Sequence, residues 1–126
     1  ECVLDTLAGI SLLEYLDINN IILVGHSFGG AVVISAAPLS NSVVGVVAMS
    51  SQTYGANRVA DISPRKLLLI HGLNDKRLGP HCSEFIYEWA KEPKSIILLE
   101  GGGHGLTEVI GEVEEALENW LNDFIP

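Results

Sequence analysis

The chain has 126 residues, enough for one domain with a real core, and 48% of them are apolar against 18% charged. Its formal net charge of −9 opposes binding to nucleic acid or to an anionic membrane surface, so neither is expected as a partner. Only Cys2 and Cys82 are present, without the short spacing of a zinc or redox motif, and no apolar stretch approaches the ~18 residues that cross a bilayer; a cytoplasmic setting is expected.

Residues 3–16 bring Leu4, Leu7, Ala8, Leu12, Tyr15 and Leu16 close to helical spacing, which predicts an amphipathic helix packed on a sheet through that face. Asp17-Ile18-Asn19-Asn20 reads as a turn. Residues 21–24 are a continuous apolar run of strand length, the pattern of a strand covered on both faces in a parallel sheet. Gly25-His26-Ser27-Phe28-Gly29 follows, and then a helix of small apolar residues, 31–37, that Pro38 ends. This is G-x-S-x-G between a strand and a helix, the setting in which a sharp turn holds a serine out as a nucleophile. Gly25 and Gly29 are expected to keep the neighbouring backbones from clashing. The plainer reading is that Ser27 caps the helix, which leaves that glycine pair without a purpose.

Residues 43–49 repeat the buried-strand pattern and end in Ser50-Ser51. Residues 52–65 are polar, with Gly55 and Pro64, and read as a surface loop with room for a helical turn. Residues 66–70 make a third apolar run, leading into His71-Gly72-Leu73-Asn74-Asp75, a turn-rich segment of the kind that carries function at a strand end. Pro80 opens a helix with Cys82, Phe85, Ile86 and Trp89 on one stripe, ending near Pro93. Residues 95–99 are the fourth strand-like run, followed by Gly101-Gly102-Gly103-His104-Gly105. Residues 107–124 form the clearest helix, with Val109, Val113, Ala116, Leu117, Trp120 and Phe124 on one face and glutamates opposite.

This alternation predicts an α/β domain over residues 1–126, a parallel sheet of about four strands in sequence order flanked by helices. Ligands of such sheets bind beyond the carboxyl ends of the strands, and Ser27, Asp75 and His104 each follow a strand-like run. A serine hydroxyl is a weak nucleophile at neutral pH. It needs an imidazole to take its proton and a carboxylate to orient that imidazole. Ser27, His104 and Asp75 supply those parts in the chain order Ser, Asp, His.

On the motifs GHSFGG at 25–30, HGLND at 71–75 and GGGHG at 101–105, the chain resembles the C-terminal half of an α/β hydrolase, most of all the dienelactone-hydrolase and prolyl-oligopeptidase-like branch. The resemblance implies that Ser27 is the nucleophile, Asp75 the acid and His104 the general base. It also implies that the backbone N–H of Phe28 is one oxyanion donor and that the substrate is a small ester or other acyl compound. The histidines and glutamates form no H-E-x-x-H pattern, and Gly101–Gly103 lack the GKS or GKT, or the full G-x-G-x-x-G, of a phosphate cradle, so no metal or cofactor is expected. Family members carry about as much chain again before the serine turn, including the loop with the second oxyanion donor. Their lid between the second and third of these strands is absent here or shrunk to residues 52–65.

The sequence opens with Glu1 inside a predicted helix, so the chain is expected to be a piece of something longer. Residues 21–24 should then form an exposed edge, partnered by the upstream portion or by self-association. His26 is expected to pack beside the serine turn, His71 to support the acid turn, and His81 to lie exposed at a helix start. Two functions follow. One is a serine hydrolase of an ester or similar acyl bond, with peptidase and acyltransferase as variants; the other is a weakly active or non-catalytic α/β half-domain.

Overall fold

Four apolar runs become four parallel strands in the computed structural model, which describes residues 1–125. They are β1 (Ile21–His26), β2 (Val43–Met49), β3 (Lys66–Gly72) and β4 (Lys94–Leu99), hydrogen-bonded in the order β1-β2-β3-β4. The helices are α1 (Cys2–Tyr15), α2 (Phe28–Ala36), α3 (His81–Trp89) and α4 (Ile110–Asn122), with single 3-10 turns at Ala37–Leu39, Val59–Ile62 and Thr107–Val109. The expected α/β architecture is therefore the observed one. β1 lies at one edge of the sheet, as expected, and β4 at the other.

Alternate residues of β3 go to opposite faces, as the two-residue period of a strand requires. Leu67 and Leu69 join Ile34, Val46, Ile62 and Ile86 under α2 and α3, while Leu68 and Ile70 join Val47, Val113 and Trp120 under α4. Each fully buried aliphatic side chain of this kind contributes about 1.5–3 kcal/mol. Gly45 lets α4 come close: a β-carbon there would stand 2.7 Å from the Trp120 ring. The face predicted for the last helix is thus the packed one, and Lys66 ties its end with an ion pair to Asp123 at 2.7 Å.

Three expectations are corrected. The face assigned to the first helix is largely outside: Leu4, Leu12, Tyr15 and Leu16 are exposed, and α1 packs through Leu7, Ile10 and Leu13. The helix is apolar nearly all round, so spacing alone could not choose its inner side. Residues 52–65 are not merely a surface loop, since Ala56, Val59 and Ile62 enter the core. Arg65 holds the end of that segment by donating to the carbonyls of Ser40, Val43 and Ile62. In α3 the buried side chains are Cys82, Ser83 and Ile86; Phe85 and Trp89 stack on each other outside, their centroids 6.3 Å apart.

Candidate active site

The site is built from the bends that follow β1, β3 and β4. β1 runs alongside β2 to the pair His26 and Met49, and the Ser27 N–H continues the ladder to the Met49 carbonyl at 2.8 Å. At Ser27 the chain turns sharply, with φ 59° and ψ −118°, and α2 begins at the next residue. A non-glycine residue in such a conformation costs of order 1–3 kcal/mol, and the surroundings must impose it. They do so partly through Gly25, where a β-carbon would collide with the backbone of Gly29. Gly29 itself faces open space, so it is not the second spacer that the motif suggested. That part falls to Gly30, whose β-carbon would sit 2.7 Å from Ser51.

Ser27 does not cap α2 with its side chain. Its Oγ is 2.9 Å from His104 Nε2, and His104 Nδ1 is 2.8 Å from Asp75 Oδ2. A carboxylate only accepts, so Nδ1 carries the proton and Nε2 presents its lone pair to the serine hydroxyl. The three residues that the sequence singled out are thereby joined in one chain of hydrogen bonds. Phe28, the first residue of α2, has an N–H with no acceptor among the described residues, and it points from the positive end of the helix.

Asp75 is the most fully determined of these groups. Its side chain is buried, yet it meets four donors: the N–H groups of Arg77 and Leu78 at Oδ1, both at 2.9 Å, and the rings of His104 and His71 at Oδ2. Burial pushes its carboxyl up, but the Leu78 N–H, the His104 ring and the Arg77 N–H outweigh that and hold it below the ordinary carboxylate value. His71 is wholly buried in the last part of β3, which extends two residues beyond the predicted strand. Its Nε2 donates to Leu78 O at 2.7 Å and toward Asp75 at 3.1 Å, leaving Nδ1 to accept from Ser83 Oγ at 2.6 Å. This is the supporting part expected of His71.

The acid turn and the histidine loop are fastened to each other. Leu73 N–H donates to Leu99 O and Asn74 N–H to Gly102 O, both at 2.9 Å, and Gly72 meets the Gly102 backbone so closely that a β-carbon on it would stand 2.2 Å from the Gly102 carbonyl oxygen. His26, expected only to pack beside the serine turn, and Ser50, for which no part was expected, both donate to the His104 carbonyl. No motif marks Ser50; the adjacency of His26 to Ser27 was the one available signal. Cys82 is no rival nucleophile: burial pushes its thiol up, and the Asp75 charge adds to that against the opposing Thr53 backbone.

An apolar groove of about 150 Å3 runs beside Phe28, walled by Ala31 and Val32 of α2, by the start of α1 and by the segment carrying Gln52 and Tyr54. A larger hollow of about 340 Å3 lies at the opposite ends of the strands, around Val43, Val44 and Arg65, and carries no such chemistry. Among the described residues no helix is long and apolar enough to cross a membrane.

No family model matches the sequence. The uncharacterized protein YfhR of Escherichia coli K12 is 32% identical over 79% of this chain, and the chain spans only 44% of that relative's length. Among solved structures, Est1E from Butyrivibrio proteoclasticus superposes with a TM-score of 0.83 at 16% identity, covering 96% of this chain and 68% of that one. The esterase domain of a Rhodothermus marinus protein gives 0.72 at 23% identity, covering 79% and 58%. A dienelactone hydrolase from Anabaena variabilis gives 0.73 at 20%, covering 81% and 48%. The fold is that of the α/β hydrolases, in part: four parallel strands and their helices, as the motifs implied.

Proposed function

We propose that this chain carries the catalytic residues of a serine hydrolase that cleaves an ester or similar acyl bond through an acyl-enzyme. Ser27 Oγ attacks the acyl carbon while His104 Nε2 takes its proton, and Asp75 stabilises the imidazolium that forms. The Phe28 N–H donates to the developing oxyanion. His104 then returns the proton to the departing alcohol, and a water activated by the same ring hydrolyses the acyl-serine. The observation that carries this reading is the pair of contacts on one imidazole, 2.9 Å to Ser27 and 2.8 Å to Asp75. The esterase and dienelactone hydrolase among similar structures agree with it. Esters are favoured over amides because their leaving groups ask less of the oxyanion site, and the apolar groove beside Phe28 suits a hydrocarbon group. A fluorophosphonate probe should modify Ser27, and Ser27→Ala should abolish labelling; labelling that survives the change refutes the assignment.

The second reading, a weakly active half-domain, draws on β1 lying at a sheet edge and on the exposed side chains of α1. As part of this proposal, that flank is covered by further chain of the kind the longer relative carries, which also supplies the second oxyanion donor. Losing one such donor costs about 100–1,000-fold in turnover, so labelling by a reactive phosphonate with negligible ester turnover would favour the second reading. Two free cysteines accord with a reducing, cytoplasmic location.

A further inference from the structure

His104 sits in the most permissive stretch of the chain, with Gly101, Gly102, Gly103 and Gly105 around it and no helix or strand between residues 100 and 106. Glycine has the most conformational freedom to lose, so an imidazole on such a loop needs external anchors. Its neighbours have some: Gly102 O accepts from Asn74, and Gly103 N–H donates to Glu108 at 3.1 Å. At His104 the main-chain anchor is the carbonyl oxygen, 2.7 Å from His26 Nε2 and 2.9 Å from Ser50 Oγ. A carbonyl oxygen only accepts, so His26 carries a proton on Nε2 and the Ser50 hydroxyl points at the same atom. Both donors stand at the ends of adjacent strands, His26 closing β1 and Ser50 directly following β2. Ser50 is buried at φ 49°, a left-handed conformation that a serine keeps only when its surroundings require it. The His26 ring lies 5.0 Å from the His104 ring.

We propose that His26 is a positioning residue for His104. With Ser50 it forms a two-donor clamp that ties the glycine loop to the strand presenting Ser27, and so sets the height of the imidazole over the serine hydroxyl. The inference rests on reading Ser27 and His104 as nucleophile and base. Displacing a reacting group by about 1 Å can cost on the order of 100-fold in rate. Losing one donor of two is a smaller disturbance, about tenfold.

The test compares His26→Phe, which keeps a ring but no N–H, with His26→Gln, whose amide N–H can reach the same carbonyl. Three quantities are read: the rate of fluorophosphonate labelling, kcat and KM for 4-nitrophenyl acetate, and the low-field proton resonance of the His104 Nδ1–H shared with Asp75. His26→Phe should slow labelling and kcat about tenfold with KM changed less than about twofold, and should shift or broaden the resonance. His26→Gln should restore most of the loss, and Ser50→Ala should reproduce the pattern. Unchanged rates with an unmoved resonance in His26→Phe overturn the proposal, and so does a loss that glutamine fails to repair. If His26→Phe does not fold, Ser50→Ala decides: no effect on labelling or resonance overturns the clamp. A wild-type protein that neither labels nor turns over ester refutes the hydrolase reading instead. The resonance needs no substrate, so it still decides the clamp in that event.

Discussion

The rim that carries Ser27, Asp75 and His104 and the flank formed by α1 and β1 satisfy their chemistry in opposite ways. At the rim, polar atoms meet partner after partner: Asp75 collects four donors, and among the described residues no buried side-chain nitrogen or oxygen lacks a hydrogen bond. Along the flank, apolar groups meet water, with Leu12 60% exposed, Tyr15 84% and Val24 53%. Every partner of the Asp75 carboxylate comes from within these residues. The hydrogen bonds that hold Asp75 are therefore separable from whatever covers the flank, and changes at Asp75 and on the outer faces of α1 and β1, away from His26, should have separable effects.

The largest effect belongs to the rim. Asp75→Asn puts an amide where one oxygen now accepts, so His104 loses its orienting carboxylate, and ester turnover should fall about 1,000–10,000-fold. Steady-state kinetics on a simple ester measures it; a loss under tenfold would detach Asp75 from the chemistry. Next come the glycines of the serine turn. Gly25→Ala drives a β-carbon into the Gly29 backbone and should destabilise by about 3 kcal/mol, whereas Gly29→Ala, in open space, should change stability by less than about 1 kcal/mol. Urea denaturation of the two variants checks the contrast.

Acid sensitivity should follow the same carboxylate. Its folded value lies below the unfolded one of about 3.9, so its contribution to stability is full above about pH 5 and is lost as pH falls through the folded value. Urea midpoints measured from about pH 5 downward should decline less steeply in Asp75→Asn, which lacks that contribution. The smallest effect belongs to the flank. Leu12→Gln with Leu16→Gln should alter stability by no more than about 0.5 kcal/mol and leave Ser27 labelling unchanged, while shifting any self-association seen by sedimentation toward monomer. Slower labelling in that variant would break the separation between flank and rim.

Much of this was legible because strand period and glycine placement are local signals, and the order of Ser, Asp and His is read directly along the chain. The runs at 21–24, 43–49, 66–70 and 95–99 announce a buried parallel sheet, and residues placed just beyond such runs fall on one rim by topology. Ser27, Asp75 and His104 were picked out on that rim by the G-x-S-x-G turn and by the chemistry a serine nucleophile requires. The side on which α1 packs was not legible, because Leu7, Ile10 and Leu13 are no more apolar than the exposed Leu4, Leu12 and Leu16. The choice is made by α2, a tertiary neighbour. Nor could Gly30 be told from Gly29 as the spacer, since the difference lies in Ser51, which approaches from the end of another strand. The carbonyl clamp on His104 depends on contacts 54 and 78 residues apart in sequence, and no residue pattern encodes a main-chain oxygen.

Those separations have a bearing on how the molecule acquires its reactivity. Ser27 and His104 are 77 residues apart, and the bend that carries His104 follows the last strand of the sheet. Parallel strands pair only through crossovers, and contacts so remote in sequence form slowly. A chain with β1, β2 and β3 assembled but β4 undocked has an ordinary serine at the end of its first strand, without a base beside it. The hydrolytic chemistry proposed for Ser27 is thus withheld from chains in which β4 is undocked, and phosphonate reactivity during refolding reports the docking of that strand.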